Sequence, residues 1–174
     1  VAKRGETADI LKQLPLSKLD LFAAGCESLW DKYAPEQIAE LKKAGFTVLT
    51  DYSLIQDNLS AKRIGVIAKD ADVQPVMNGR GDFLPSTVRQ GIEFLSKKSK
   101  KGFFLMAEGA QIDWGSHNND VKYTVMEVID FDMAVSEALK FADQNGETLV
   151  IVTADHETGG MTIPNGNYAE KKVK

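Results

Sequence analysis

The residues best equipped for chemistry are Glu108, Asp113, His117, Asp155 and His156. Asp113 and His117 stand four apart within QIDWGSH, a spacing that brings both side chains to one point if residues 113–117 form a helical turn or tight loop. A carboxylate oxygen and an imidazole nitrogen are suitable zinc donors, with bonds of about 2.0–2.2 Å. Asp155 and His156 are adjacent in TADHETGG, so a regular strand would face them opposite ways. A bend before Gly159-Gly160 is needed to turn both toward one ion. Glu108 offers oxygen alone and suits a harder cation such as magnesium. Each residue alone has an ordinary structural reading, as a solvated strand end, a helix cap or a turn acceptor. Five such groups behind two apolar runs, including both histidines of the chain, point together to an ion site.

Rigid elements must hold these groups. Five short apolar runs read as strands, at residues 19–25, 47–52, 64–68, 102–109 and 148–156. Most are continuously apolar, as expected of strands covered on both faces. Helical patterns lie between them. Pro35 and Gly45 bracket one, with Pro at a first turn and Gly at a C-terminal cap. A second follows Pro85, where Thr87 and Gln90 have capping-box spacing and Val88, Ile92 and Leu95 repeat at helical intervals. A third, over residues 118–144, places Val121, Val125, Val128, Val135 and Leu139 on one face, which reads as core. The alternation predicts an α/β fold, a three-layer sandwich with a mainly parallel central sheet. In such sheets ligands gather beyond the carboxyl ends of the strands, where Glu108 and Asp155-His156 fall.

At 174 residues the chain is long enough for a single domain, and no linker, repeat or low-complexity tract divides it. Apolar residues make up 43% and charged residues 26%, ordinary globular usage that excludes a disordered or fibrous chain. A net charge of −4 argues against a nucleic-acid-binding face. The one basic cluster, Lys97–Lys101, falls where a helix should end and cations complement its dipole. No apolar run reaches the roughly 18 residues of a membrane span. Cys26 is the sole cysteine, so no internal disulfide can form. Arg80-Gly81-Asp82 in the irregular stretch 69–85 is an adhesion-like tripeptide, too short to carry meaning. The opening VAKRGETADI lacks an initiator Met and a signal-peptide pattern, so a mature or excised piece of a longer product is expected.

EGAQIDWGSH, followed later by VTADHETGG, resembles the two metal-binding segments of alkaline phosphatases. The resemblance extends through KGFFLMAEGAQID and TLVIVTADHETGG and touches LDLFAAG near the N-terminus. TADH alone is shared with distant relatives such as phosphoglycerate mutases, whereas the combined pattern is specific. What the resemblance implies is a phosphate monoester hydrolase with two zinc sites and one magnesium site. Glu108 matches the magnesium ligand, Asp113 and His117 match two ligands of one zinc, and Asp155 and His156 match two ligands of the other. Family members attack phosphorus with a serine, and paired cations suit a reaction in which attacking and leaving oxygens both carry negative charge. Trp114 and Thr158 fall at positions that vary in the family and lie near the phosphate, while Asn118, Asn119 and Asp120 either support the ligands or cap a helix. The resemblance also implies work in the periplasm or outside the cell, and a possible homodimer.

The match is incomplete. Neither DYS at 51–53 nor DNLSA at 57–61 fits the family's serine segment, and its bridging aspartate, phosphate-clamping arginine and later histidine ligand have no counterpart. The expectation is therefore the middle, metal-bearing fragment of a longer phosphatase, inactive alone, with each metal site incomplete. Two other readings remain open at this point. One is another hydrolase or mutase of the same superfamily; the other is a noncatalytic α/β domain stabilised by an ion.

Overall fold

A computed structural model describes residues 2–162 and the backbone of a two-residue strand pair, β4 (Gly166–Asn167) and β5 (Lys172–Val173). Helix α1 (Thr7–Gln13) leads through a 3-10 turn to β1 (Leu21–Cys26), α2 (Glu27–Tyr33), α3 (Gln37–Lys43), β2 (Phe46–Leu49) and β3 (Arg63–Ala68). Three helices follow, α4 (Phe83–Lys98), α5 (Ala110–His117) and α6 (Val121–Asn145). The sheet order is β1-β3-β2 and both pairings are parallel.

The central strand β3 shows why the sheet needs two helical layers. Ile64 and Val66 point to one face, where Phe94 and Leu95 of α4 pack with Leu49 and Ile55. Ile67 points to the other, among Phe22, Trp30, Leu41 and Phe46. Each fully buried aliphatic side chain of this kind contributes about 1.5–3 kcal/mol, so β3 belongs at the centre. Gly65 is required there, since a Cβ at this position would come within 2.5 Å of the Phe22 ring. Arg63, at the start of β3, ties the edge by donating to the carbonyls of Leu19, Ala44 and Ser17 at 2.7, 3.2 and 2.8 Å. The sequence expectation of a sandwiched parallel sheet is met.

Two of the five expected strands are not found. Residues 102–109 and 148–156 join no ladder among the described residues. Apolar composition signals burial, whereas a strand exists only when its backbone groups have a paired neighbour. Burial along the first stretch nevertheless alternates, with Phe103 and Leu105 turned to the core and Phe104 and Met106 outward, Phe104 being 88% exposed. Leu149, Ile151 and Val152 of the second stretch are exposed as well.

The helices bring two further corrections. Helix α4 begins at Phe83, before Pro85, whose missing N–H falls among the first-turn groups that lack helical partners. Thr87 is not its cap; Gln90 instead accepts from the Gln56 amide at 3.0 Å. The expected third helix, 118–144, is found as α6, which opens at Val121 because Asp120 caps it by accepting from the Tyr123 amide at 3.0 Å. The valine stripe of α6 is not core: Val121, Val125, Val128 and Leu139 are exposed. The inward face carries Tyr123, Thr124, Glu127, Asp130 and Ala134.

Arg80 is the reason α6 can turn carboxylates inward. Its guanidinium donates to Glu127 Oε2 at 2.6 Å and Asp130 Oδ2 at 2.7 Å, with all three side chains 6% exposed or less. Glu127 also accepts from the Val76 amide at 2.7 Å, so the 69–82 connection is tied down on α6. Burial raises the Asp130 carboxyl above its usual range, against the pull of Arg80. With Arg80 enclosed in this way, the adhesion-like tripeptide cannot present its arginine to a partner.

Candidate metal centre

The site is assembled on α5 and on the turn that follows residues 148–156. Gly109 precedes α5, and Gly115 within it lets α6 approach closely: a Cβ at 115 would lie 2.9 Å from the Thr124 amide nitrogen. Gln111 fixes the helix from the other side, donating to the Val73 carbonyl at 2.7 Å and accepting from the Tyr123 hydroxyl. Asp113 and His117 therefore sit one helical turn apart on a braced helix, with His117 Nε2 3.5 Å from Asp113 Oδ1.

Residues 155–160 bend back onto this helix. The Thr158 hydroxyl donates to Asp113 Oδ1 at 2.8 Å, and Thr158 Oγ1 lies 3.0 Å from His156 Nδ1. Gly159 packs against the Ser116 carbonyl, and Glu157 closes the turn by accepting from the Gly160 amide at 2.6 Å. The bend swings His156 Nε2 to 3.4 Å from Asp155 Oδ2, so the adjacent pair does face one region. Four of the expected residues, Asp113, His117, Asp155 and His156, thus fall into two carboxylate–imidazole pairs linked through Thr158. Glu108 lies exposed just ahead of α5 and enters none of these contacts.

The spacings suit a shared cation. Two donors bonded to one zinc at about 2.0–2.2 Å with a tetrahedral angle stand about 3.3–3.6 Å apart. Both pairs, at 3.5 and 3.4 Å, fall in that interval and are longer than good hydrogen bonds. Among the described residues no three His, Cys, Asp or Glu side chains converge as a cage.

The flanking residues are now placed. Trp114 is exposed beside Asp113 and is not a packing residue. Asn118 and Asn119 terminate α5 through amide bonds to the Trp114 and Ser116 carbonyls at 3.1 and 3.0 Å, and Asp120 opens α6. Capping accounts for these three. Sequence reading did not foresee that Thr158 joins the two pairs; the adjacent Gly159-Gly160 was the available sign that this turn must pass close to another backbone.

Comparison with known proteins gives the same outline. A family model described as alkaline phosphatase matches residues 35–173. Alkaline phosphatase 4 of Bacillus subtilis (strain 168) is 36% identical over 148 residues, covering 84% of this chain and 32% of the relative. Alkaline phosphatase of Escherichia coli (strain K12) is 48% identical over 87 residues, covering 48% of this chain and 18% of that protein. Among solved structures, alkaline phosphatase from the Antarctic bacterium TAB5 superposes with a TM-score of 0.83 at 38% identity, over 100% of this chain and 52% of that one. A mutant of that enzyme with magnesium bound gives a TM-score of 0.84 at 40% identity, over 94% of this chain and 48% of the other. The chain spans about a third of the length of the Bacillus relative and about half that of the solved structures. Because the matched stretch runs unbroken from before β2 through both donor pairs, this chain belongs to the alkaline phosphatase family.

Proposed function

We propose that this chain is the central, metal-bearing part of an alkaline phosphatase that hydrolyses phosphate monoesters, a single α/β domain over residues 1–174. Asp113 and His117 hold one zinc, Asp155 and His156 hold the second, and Glu108 serves a magnesium ion. The observation that carries the reading is the matched spacing of the two pairs, 3.5 and 3.4 Å, on segments that Thr158 draws together. Zinc bound there supplies Lewis-acid stabilisation of the negative charge on attacking and leaving oxygens. The chain's own contribution is positional. Helix α5 fixes Asp113 and His117 one turn apart, and the 155–160 bend brings Asp155 and His156 together and ties them to Asp113 through Thr158.

No segment of this chain fits the family's serine nucleophile, so the reading includes a chain that is inactive alone and belongs to a longer, exported enzyme. Among the described residues no helix is long and apolar enough to cross a membrane. The test measures zinc content and phosphate monoester hydrolysis on the same preparations. Asp113→Ala and Asp155→Ala are each expected to lower bound zinc, and the parent chain to hydrolyse at background rate. Undiminished zinc in both variants would remove the metal assignment. Rapid metal-dependent hydrolysis by the parent chain would remove the fragment assignment. Stoichiometric zinc with no hydrolysis even when the rest of an alkaline phosphatase is supplied would favour the noncatalytic, ion-stabilised reading.

A further inference from the structure

We infer that Gln111 is a positioning residue that sets the direction in which helix α5 points Asp113 and His117; its consequence for zinc rests on the reading above. Helix α5 is about two turns long and opens at Gly109 with no side chain capping its first amides among the described residues. Its last turn is held against α6 by the close approach of Gly115 to Thr124 and by the Asp120 amide, which donates to the Gly115 carbonyl at 3.0 Å. At the first turn Gly109 lies close to the Phe131 ring, an apolar contact that limits approach and leaves rotation about the helix axis free. The Gln111 amide stops that rotation because both of its ends are held. The Val73 carbonyl can only accept, so Nε2 faces it at 2.7 Å, and Oε1 is left to accept from the Tyr123 hydroxyl.

Both anchors lead to one buried group. Val76, just beyond Val73 in the chain, donates its amide to Glu127 Oε1 at 2.7 Å, and Tyr123 stands one turn before Glu127 on α6. Glu127 is itself gripped by Arg80 at 2.6 Å and is 2% exposed. Successive residues of a helix turn by about 100°, so Asp113 stands about 200° around α5 from Gln111, and His117 about 40° from Asp113. Holding Gln111 toward α6 and the 69–82 connection therefore sends both donors to the far side of α5, where the Thr158 hydroxyl meets Asp113. Residues that orient metal ligands from outside the ligand set typically change metal affinity by about 10–100-fold when removed.

The experiment uses Gln111→Met, which keeps shape and removes both hydrogen bonds, and Gln111→Glu, which keeps the acceptor for Tyr123 and removes the donor to Val73. Zinc affinity is measured by chelator competition in two backgrounds: Asp155→Ala, which leaves the Asp113–His117 pair, and Asp113→Ala, which leaves the Asp155–His156 pair. Both Gln111 variants are expected to weaken zinc about tenfold in the first background and to stay within about twofold of that background's own affinity in the second. Equal falls in both backgrounds, or none in the first, overturn the inference, and so does a Gln111→Glu variant that matches unsubstituted Gln111. In metal-free protein, amide hydrogen exchange at Asp113 and Trp114 is expected to quicken about tenfold in Gln111→Met while the α6 amides keep the parent's rates. Unchanged exchange at Asp113 overturns the inference. Undiminished zinc in Asp113→Ala and Asp155→Ala alike removes the metal assignment instead, and the exchange comparison alone then decides the role of Gln111.

Discussion

Gly159 lies so close to Ser116 that a Cβ at position 159 would come within 2.4 Å of the Ser116 carbonyl oxygen. The backbone there has φ +78°, in the left-handed region that only glycine adopts without cost. Gly159→Ala is therefore expected to lose roughly 1–3 kcal/mol of stability and to lift the turn off α5, breaking the Thr158–Asp113 hydrogen bond. Gly160→Ala is the control. Its φ is +68° but nothing lies within 4 Å of the added methyl, so it bears the backbone strain alone, about 1 kcal/mol. Urea unfolding of the two variants checks this, and equal losses would mean that the contact with Ser116 carries no weight.

The Arg80–Glu127–Asp130 group makes a second, asymmetric prediction. Arg80→Met leaves two buried carboxylates without their cation and should cost about 3–5 kcal/mol. Asp130→Asn keeps an acceptor for Arg80 and should change stability by less than about 1 kcal/mol at neutral pH. The pH dependence has a definite sign. Since burial raises the Asp130 carboxyl in the folded state, its stabilising contribution is complete below the ordinary carboxylate range and is lost as pH rises through the raised value. Denaturant curves at acid and neutral pH should show that loss in the parent and not in Asp130→Asn.

Tyr52 predicts behaviour at the alkaline end. Its hydroxyl donates to Asp82 Oδ1 at 2.8 Å. Burial first, and the bond to Asp82 next, push the phenol up to about 12. A group raised in the folded state stabilises below its unfolded value, about 10, and loses that contribution as pH climbs through the folded one. Tyr52→Phe should cost roughly 1 kcal/mol at neutral pH and show a shallower fall in stability between pH 9 and 12. An alkaline limb identical to the parent's would count against the Tyr52–Asp82 bond.

The orientation of α6 can be tested by ordinary mutagenesis. Val125→Ser and Val128→Ser, on the exposed face, should shift stability by no more than about 0.5 kcal/mol. Ile64→Ala, at the centre of β3 with no exposed surface, should cost about 2–5 kcal/mol. Thermal unfolding of the three variants distinguishes this packing from the one in which the valine stripe faces the core.

Much of the arrangement was legible before any coordinates. Continuous apolar runs at β1, β2 and β3 signalled strands covered on both faces, and Gly45 marked the end of α3, where its φ is +89°. The four-residue spacing of Asp113 and His117 indicated a shared direction once α5 formed. The runs at 102–109 and 148–156 are apolar yet join no ladder among the described residues, because strand pairing depends on a neighbouring backbone that residue type does not specify. The valine stripe of α6 failed for a related reason: periodicity marks a face of the helix without saying what that face meets.

By itself the sequence determined which donors exist, how far apart they lie along the chain, and that the second pair is followed by the turn-forming Gly159-Gly160. Those are local properties, fixed by residue type and helical or extended geometry. Only the tertiary structure decided that Thr158 spans from His156 to Asp113, that Gly159 meets Ser116, and that Arg80 lets α6 bury Glu127 and Asp130. Contacts between residues tens of positions apart depend on how packed layers bring chain segments together, and no short spacing in the sequence encodes that distance.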